Sequence, residues 1–219
     1  MAGDEHIVFE EKLACVLVVD VSGSMEPKMD KLNQGLQKFK NDIMRDEETM
    51  NRLEVGIITF NHRVETAMQM GAIDKLIMPV LAADGSTKLV DGVREGIRMV
   101  EARKKQYTQL GMPYKRPYVL LVTDGEPDPG QDVAGLAREI EAGVNGKHFV
   151  FWAFGVEGAN YEMLKEISMD DKPPLQFDSK DFGKFFEWLS NSLSNLSKAK
   201  KGENVNIAPK NNFFQMNVD

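Results

Sequence analysis

Short apolar runs alternate along the chain with segments in which apolar residues recur every three or four positions. The first run, residues 13 to 19, is continuously apolar and ends at Asp20, which is typical of a strand buried on both faces of a parallel sheet. Helical spacing follows at once in Met29, Leu32, Leu36, Phe39 and Ile43. This pattern predicts an amphipathic helix, entered through Pro27 in its first turn, that packs on the sheet.

The rest of the chain repeats this alternation of strand and helix. Further strands are predicted at residues 53–60, 64–72, 118–123, 148–154 and 175–177, and further helices around 90–100, 133–140, 163–167 and 182–196. The second and third strands form a hairpin across a short polar turn. We therefore predict an α/β fold, a doubly wound and mostly parallel six-stranded sheet with one antiparallel edge strand and helices on both faces.

The domain organisation follows from where this alternation stops. Residues 1–197 are predicted to form one domain, because 219 residues are enough to bury a single large core. Residues 198–219 turn basic and then rich in asparagine, with a late apolar patch at Phe213, Phe214 and Met216. We interpret this segment as a C-terminal tail, either mobile or docked on its own domain.

Composition and charge narrow the possible environments. The net charge of -7 argues against nucleic-acid binding, which needs a basic face. Cys15 is the one cysteine in the chain, so no internal disulfide can form, and a reducing compartment fits. Acidic residues precede the first apolar run, which is too short for a secretory signal or a membrane span. We predict a cytoplasmic protein that does not enter a membrane.

Three oxygen-rich segments follow predicted strands or begin a predicted helix. Asp20, Ser22 and Ser24 come directly after the first strand, Thr87 follows a Gly-Ser loop, and Asp124 follows the strand at 118–123. In an open α/β sheet, ligands bind beyond the carboxyl ends of the strands, where the strand order reverses. The five oxygen-bearing side chains are therefore expected to converge on a single ion.

The ligand chemistry favours Mg²⁺, with Mn²⁺ or Ca²⁺ as alternatives, because hydroxyl and carboxylate oxygens suit hard cations. The chain has no cluster of thiolates, and its three histidines are scattered, which argues against zinc or copper. With few formal charges among its ligands, the ion would keep strong Lewis acidity. A coordination position is then open to an Asp or Glu carboxylate from a partner protein.

The arrangement closely resembles the metal-ion-dependent adhesion site of the von Willebrand A family, and the resemblance covers roughly residues 13–197. The family's Asp-x-Ser-x-Ser loop, separate Thr and separate Asp correspond to Asp20, Ser22, Ser24, Thr87 and Asp124. The segments DVSGSM, LNQGLQ, DGSTKL and LLVTDGEPD are similar to compact bacterial A-domain proteins of tellurium-resistance clusters. The resemblance implies a non-enzymatic, cytoplasmic adaptor in a stress-related complex with a protein kinase and a phosphatase.

Other interpretations of the same residues stay open. The main rival is a Mg²⁺-dependent phosphohydrolase with an aspartyl nucleophile, but such enzymes commonly need a second carboxylate where this loop has Ser22. A receiver-like domain would need an acidic pair near the end of the first strand. A nucleotide-binding fold is disfavoured because the chain lacks GxGxxG and GxxxxGK[ST] motifs. A structural subunit with a vestigial site, or serines that merely cap a helix, also remain.

Two surface features are predicted outside the five residues. The rim of the metal loop should carry His62 and Arg63 together with Met25, Glu26, Asp84, Glu126 and Glu157. It is either a partner-selecting surface or a solvated loop edge. The basic residues Arg103, Lys104, Lys105, Lys115 and Arg116 should lie at the opposite end of the sheet. They form either a solvated face or a site for an acidic partner.

Overall fold

A six-stranded, mostly parallel sheet organises the chain in the computed structural model, which describes residues 9–200, Glu203, Val205 and Ile207. The strands are β1 (Leu13–Asp20), β2 (Leu53–Phe60), β3 (Val64–Ala72), β4 (Tyr118–Thr123), β5 (Val150–Val156) and β6 (Leu175–Phe177). Their order is β3-β2-β1-β4-β5-β6, and β3 pairs antiparallel with β2 at one edge while the other pairs are parallel. The predicted fold class is confirmed.

Helices cover both faces of this sheet. They are α1 (Met29–Met44), α2 (Glu47–Arg52), α3 (Leu89–Gln109), α4 (Val133–Asn145), α5 (Tyr161–Glu166) and α6 (Phe182–Lys198). The apolar sides of α1 and α6 join one core cluster, whereas α3, α4 and α5 pack into a second cluster on the opposite face. Within the described residues, no helix combines the length and apolar character that a membrane crossing requires.

The strand order places a topological switch point between β1 and β4. The chain leaves β1 towards β2 and leaves β4 towards β5, so the loops after these two central strands diverge. Residues Cys15 to Val19 of β1 pair in parallel register with Tyr118 to Val122 of β4. The two strands therefore end side by side, and Asp20 and Thr123 are the last residues of each. A crevice for a ligand is expected here.

Two glycines let α3 lie close to the sheet. A Cβ at position 96 would come within 2.4 Å of Val18 Cγ2, and one at position 92 within 2.6 Å of the Phe60 ring. Any larger side chain would push the helix outward or displace its neighbours. Because α3 begins at Leu89, this close approach also fixes the position of the preceding loop, which carries Thr87, relative to the sheet.

Local differences from the sequence prediction have simple physical reasons. Pro27 lies in a short 3₁₀ helix, Gly23–Lys28, that precedes α1 rather than inside the first turn of α1 itself. The unpredicted helix α2 is only six residues long, too short for apolar periodicity to reveal. It begins where the Asp46 side chain accepts a hydrogen bond from Thr49 N at 3.2 Å, a cap that starts a helix independently of hydrophobic pattern.

Most of the basic residues at the opposite end of the sheet stabilise the fold through hydrogen bonds, a role that neither of the two sequence interpretations predicted. Arg116 donates to the carbonyl oxygens of Phe149 at 2.8 Å and Val144 at 2.7 Å. Lys104 donates to His148 O at 3.0 Å, and Lys115 donates to Ala199 O. Lys105 is exposed. Carbonyl groups at element ends need donors, and long basic side chains supply them here.

Part of the predicted tail is described. The indole of Trp188 donates to Ile207 O at 3.2 Å, and Ile207 packs against the core cluster beneath α6. Trp152 is 6% exposed and belongs to that core cluster, and Trp188 is partly buried and packs against it. The apolar patch at Phe213, Phe214 and Met216 lies outside the described residues.

Glu54 forms a buried polar cluster at the start of β2, accepting hydrogen bonds from Arg103 and from the Tyr107 hydroxyl. Burial raises the pKa of Glu54, but these hydrogen bonds outweigh it and leave the pKa below the usual glutamate value. A lowered pKa in the folded state adds stability above the unfolded pKa of about 4.3, and this stability is lost as the pH falls through the folded pKa.

We therefore expect Glu54→Gln to lower the free energy of unfolding at pH 7 by about 1–3 kcal/mol and to flatten its fall on acidification. Urea unfolding at pH 7 and at a series of pH values below 4.5 measures both effects. Glu65→Gln, at an exposed glutamate on β3, is the matched control. Parallel pH profiles for wild type and Glu54→Gln would contradict the assignment.

Candidate metal site

The loop after β1 turns sharply around the side chain of Asp20, which is fully buried. Asp20 Oδ1 accepts a hydrogen bond from Ser22 N at 2.8 Å, and Asp20 Oδ2 accepts one from the Thr123 hydroxyl. Gly125 N in turn donates to Thr123 Oγ1 at 3.1 Å. These contacts fix the carboxylate between the two central strand ends.

The two serines and Asp124 form a chain of oxygens across the switch point. Ser22 Oγ lies 3.2 Å from Ser24 Oγ, and Ser24 Oγ donates to Asp124 Oδ1 at 2.7 Å. The second oxygen of Asp124 contacts the ammonium group of Lys28. Ser22 and Asp124 are buried, whereas Ser24 is exposed. Four of the five predicted ligand residues are thus brought together.

Thr87 is held beside them through its backbone. Thr87 N donates to Asp128 Oδ1 at 3.1 Å, and Thr87 O accepts from Asp128 N at 3.0 Å and from Gln131 Nε2 at 2.6 Å. The other end of the Gln131 amide accepts from Val90 N at 2.8 Å, in the first turn of α3. The loop after β4 therefore clamps Thr87 and satisfies an amide of the adjoining helix start.

Backbone hydrogen bonds also tie the Thr87 loop to the loop after β1. Gly23 N donates to Gly85 O at 3.0 Å, and Asp84 N donates to Val21 O at 2.9 Å. Gly85 adopts φ +71°, and its missing side chain leaves room for the His62 ring, which a Cβ would approach to 2.2 Å. The site is therefore built from three loops that are fastened to one another rather than from one flexible loop.

The residues fit a hard divalent cation. A Cβ at position 125 would lie 3.4 Å from Asp20 Oδ2 and 3.7 Å from Thr87 Oγ1, so the absence of a side chain at Gly125 keeps open a space bordered by both oxygens. Two carboxylates and three hydroxyls form a donor set of oxygens alone, as Mg²⁺ prefers. The described residues contain no group of three or more His, Cys, Asp or Glu side chains placed to hold a metal, so the hydroxyls are essential to any such site.

The electrostatics of Asp20 reflect its depth. Burial raises its pKa above the usual aspartate value, and the nearby charge of Asp124 adds to the rise, against the opposing hydrogen bonds from Thr123 and Ser22. A buried anion of this kind is stabilised by any cation brought against it.

The side chain of Ser22 does not cap a helix. Ser22 precedes the 3₁₀ helix Gly23–Lys28, but its side chain makes no capping hydrogen bond to that helix. Its hydroxyl instead lies beside that of Ser24. The capping alternative left open by the sequence is therefore wrong for Ser22.

The predicted rim needs one correction. Met25 is fully buried in the core cluster beneath α1, because the 3₁₀ helix turns its side chain inward, and it contributes nothing to a surface. The other rim residues are exposed, and they are His62, Arg63, Glu26, Asp84, Glu126 and Glu157.

Four residues that shape the site were not among the predicted ones, and they are Lys28, Thr123, Asp128 and Gln131. Thr123 offered a signal, since it is the last residue of a central strand and adjoins Asp124. Asp128 lies four residues after Asp124 in the same polar loop, and a second carboxylate so close to a predicted ligand is a weak signal of a role in the site. Lys28 and Gln131 offered none, because a lysine before a helix and a glutamine in a loop are ordinary solvent-facing residues.

A known protein family matches most of the chain. The model described as von Willebrand factor type A domain matches residues 15–193. Inter-alpha-trypsin inhibitor heavy chain H3 of Mesocricetus auratus is 24% identical over 162 residues, which is 71% of this chain and 18% of that protein. The chain thus spans less than a fifth of this relative.

Solved structures share the fold at low sequence identity. The pilus adhesin SpaC of Lactobacillus rhamnosus GG, in its open conformation, superposes with a TM-score of 0.69 at 15% identity, over 85% of this chain and 30% of that chain. The von Willebrand factor domain of the type V pili tip protein Mfa5 of Porphyromonas gingivalis gives a TM-score of 0.61 at 9% identity, over 90% and 99%. A von Willebrand factor type A protein of Catenulispora acidiphila gives 0.59 at 16%, over 85% and 43%.

Proposed function

The chain belongs to the von Willebrand factor type A domain family, and from that membership we propose that it is a non-enzymatic module that binds another protein through a divalent metal ion. The ion is Mg²⁺, with Mn²⁺ or Ca²⁺ as substitutes. The residues that would hold it are Asp20, Ser22, Ser24, Thr87 and Asp124.

One observation carries this proposal, namely the convergence of oxygen side chains from three loops at the switch point of the sheet. Asp124 accepts the Ser24 hydroxyl at 2.7 Å across a sequence separation of 100 residues. The contacts of Asp128 and Gln131 with the Thr87 backbone hold that residue beside the other four.

The bound ion would supply a Lewis acid that attracts the carboxylate of a partner's Asp or Glu side chain. The chain's own residues bind and orient it: Asp20 and Asp124 provide charge, and the hydroxyls of Ser22, Ser24 and Thr87 provide neutral oxygens. The two ligand carboxylates only balance the charge of a divalent ion, so no surplus negative charge repels an incoming carboxylate. The exposed position of Ser24 places this face of the site where a partner can reach it.

The rival phosphohydrolase finds no supporting observation. An aspartyl nucleophile needs a free carboxylate oxygen directed at the substrate, with an acid or base nearby. Both oxygens of Asp20 accept hydrogen bonds, and its side chain is fully buried. The residue two positions later is Ser22, which cannot act as a carboxylate base.

The cellular setting that we propose is a cytoplasmic adaptor of a tellurium-resistance or stress-related complex, acting with a protein kinase and a phosphatase. It rests on the resemblance of four sequence segments to bacterial proteins of that group, whereas the similar solved structures include pilus proteins. Co-purification of the tagged chain with its genomic neighbours, with and without a chelator, tests this setting.

Titration of the chelator-treated protein with MgCl₂ in a calorimeter tests the function itself. We expect saturable binding at a single site, and no heat from a nonhydrolysable nucleotide. Turnover of a phosphate ester that required Asp20 would support the enzyme instead. Absence of binding for Mg²⁺, Mn²⁺ and Ca²⁺ alike would refute the metal-dependent module.

A further inference from the structure

Lys28 reaches into the candidate metal site from the end of the 3₁₀ helix Gly23–Lys28. Its ammonium group contacts Asp124 Oδ2 and donates to Glu157 O at 2.9 Å. Only 12% of its side chain is exposed. The group therefore has a fixed place between the loops after β4 and β5, unlike a lysine that extends into solvent.

Lys28 is important for the charge balance of the site. Asp20 and Asp124 are both buried carboxylates. Asp20 is compensated by neutral donors, Ser22 N and the Thr123 hydroxyl. Among the described residues, Lys28 is the only cation in an ion pair with either carboxylate. Without metal, the single positive charge of Lys28 thus compensates one of the two carboxylate charges.

We propose that Lys28 is a built-in counter-cation that sets the metal affinity of this site and increases the positive charge that the loaded site presents to a partner. The inference rests on the proposed function, since it concerns the same metal. In the metal-free protein, the Lys28 ammonium group compensates the charge of Asp124 and so stabilises the loops that carry the two residues. A metal held by Asp124 would lie close to the Lys28 ammonium group, and the two cations would repel each other.

Both consequences follow from the Coulomb energy of charges a few ångströms apart. Repulsion across one carboxylate in a partly solvated site amounts to roughly a tenfold loss of metal affinity. The same positive charge strengthens the attraction of the loaded site for a carboxylate. Lys28 therefore lowers the affinity for the metal and raises the affinity of the metal-bound site for an anion. Replacing a lysine that only positioned the loop would change both affinities in the same direction.

Neutral replacement of Lys28 separates these possibilities. Calorimetric titration with MgCl₂ should give a dissociation constant about tenfold lower for Lys28→Met than for wild type. Lys28→Arg keeps the charge and should stay close to wild type. Lys31→Met removes an exposed lysine of the neighbouring helix and is the matched control, for which we expect no change.

Thermal unfolding in chelator gives a readout independent of metal loading. Lys28→Met leaves Asp124 without its cation, so its melting temperature should fall below that of Lys31→Met, and Mg²⁺ should raise it by more than it raises wild type. Lys28→Gln, which keeps a donor but no charge, serves as a second neutral variant in case Lys28→Met folds poorly.

The outcomes are distinct. Weaker Mg²⁺ binding by both neutral variants, or the same affinity as Lys31→Met, would overturn the role of Lys28 and leave the proposed function standing. Failure of wild type and of every variant to bind Mg²⁺ would overturn the proposed function and this inference with it. Tighter binding by both neutral variants, with Lys28→Arg unchanged, is the result expected.

Discussion

Asp20→Ala should weaken Mg²⁺ binding by more than about 100-fold, because the variant lacks one of two charged ligands. Retention of partner protein from lysate should fall to the level seen with chelator. The fold should persist, since Asp20 lies beyond the apolar part of β1 and its burial raises its pKa rather than stabilising its charge. Calorimetric titration and thermal unfolding together measure the two effects.

Two further variants sharpen this experiment. Asp20→Asn keeps the shape and an acceptor for Ser22 N but removes the charge, so it should bind Mg²⁺ as poorly as Asp20→Ala while melting closer to wild type. Asp74→Ala removes an exposed aspartate of the 3₁₀ helix Ile73–Lys75 and should leave both quantities unchanged. Identical partner lists for wild type, Asp20→Ala and the chelated sample would rule out a metal-mediated contact.

The candidate site could be predicted largely because it lies at strand ends. A fully apolar run such as β1 must stop where the chain leaves the sheet, so the position of Asp20 follows from hydrophobicity alone. The parallel order of the sheet then brings Asp124 to the same edge. Both steps use the period and length of apolar segments, which are the strongest signals in a single sequence.

What the sequence could not supply are contacts between side chains that are distant along the chain. The clamp between Gln131 and Thr87 spans 44 residues, and the pairing of Lys28 with Asp124 spans 96. Neither residue type departs from what a solvated loop would contain. Met25 misled for the opposite reason, since its neighbours are polar but the tight 3₁₀ turn directs it into the core.

Phe185→Ala should cost about 3–5 kcal/mol of the free energy of unfolding, the range for truncating a buried phenylalanine. Phe185 is fully buried on α6, stacks on Phe177 with ring centroids 4.8 Å apart, and meets Phe154 edge-on at 5.0 Å. Its loss opens a cavity between α6 and the strands β5 and β6. Urea unfolding should show the full loss, and the melting temperature should drop by roughly 10 °C.

The matched control is Lys184→Ala, at the preceding position of the same helix, where the side chain is 66% exposed and truncation should cost less than about 0.5 kcal/mol. A loss of similar size in both variants would show that helix formation, not aromatic packing, determines the contribution of α6. Because Phe185 lies away from the loops after β1 and β4, its variant should bind Mg²⁺ as wild type does while folded. Asp20→Ala should show the converse, which separates the metal site from the stability of the scaffold.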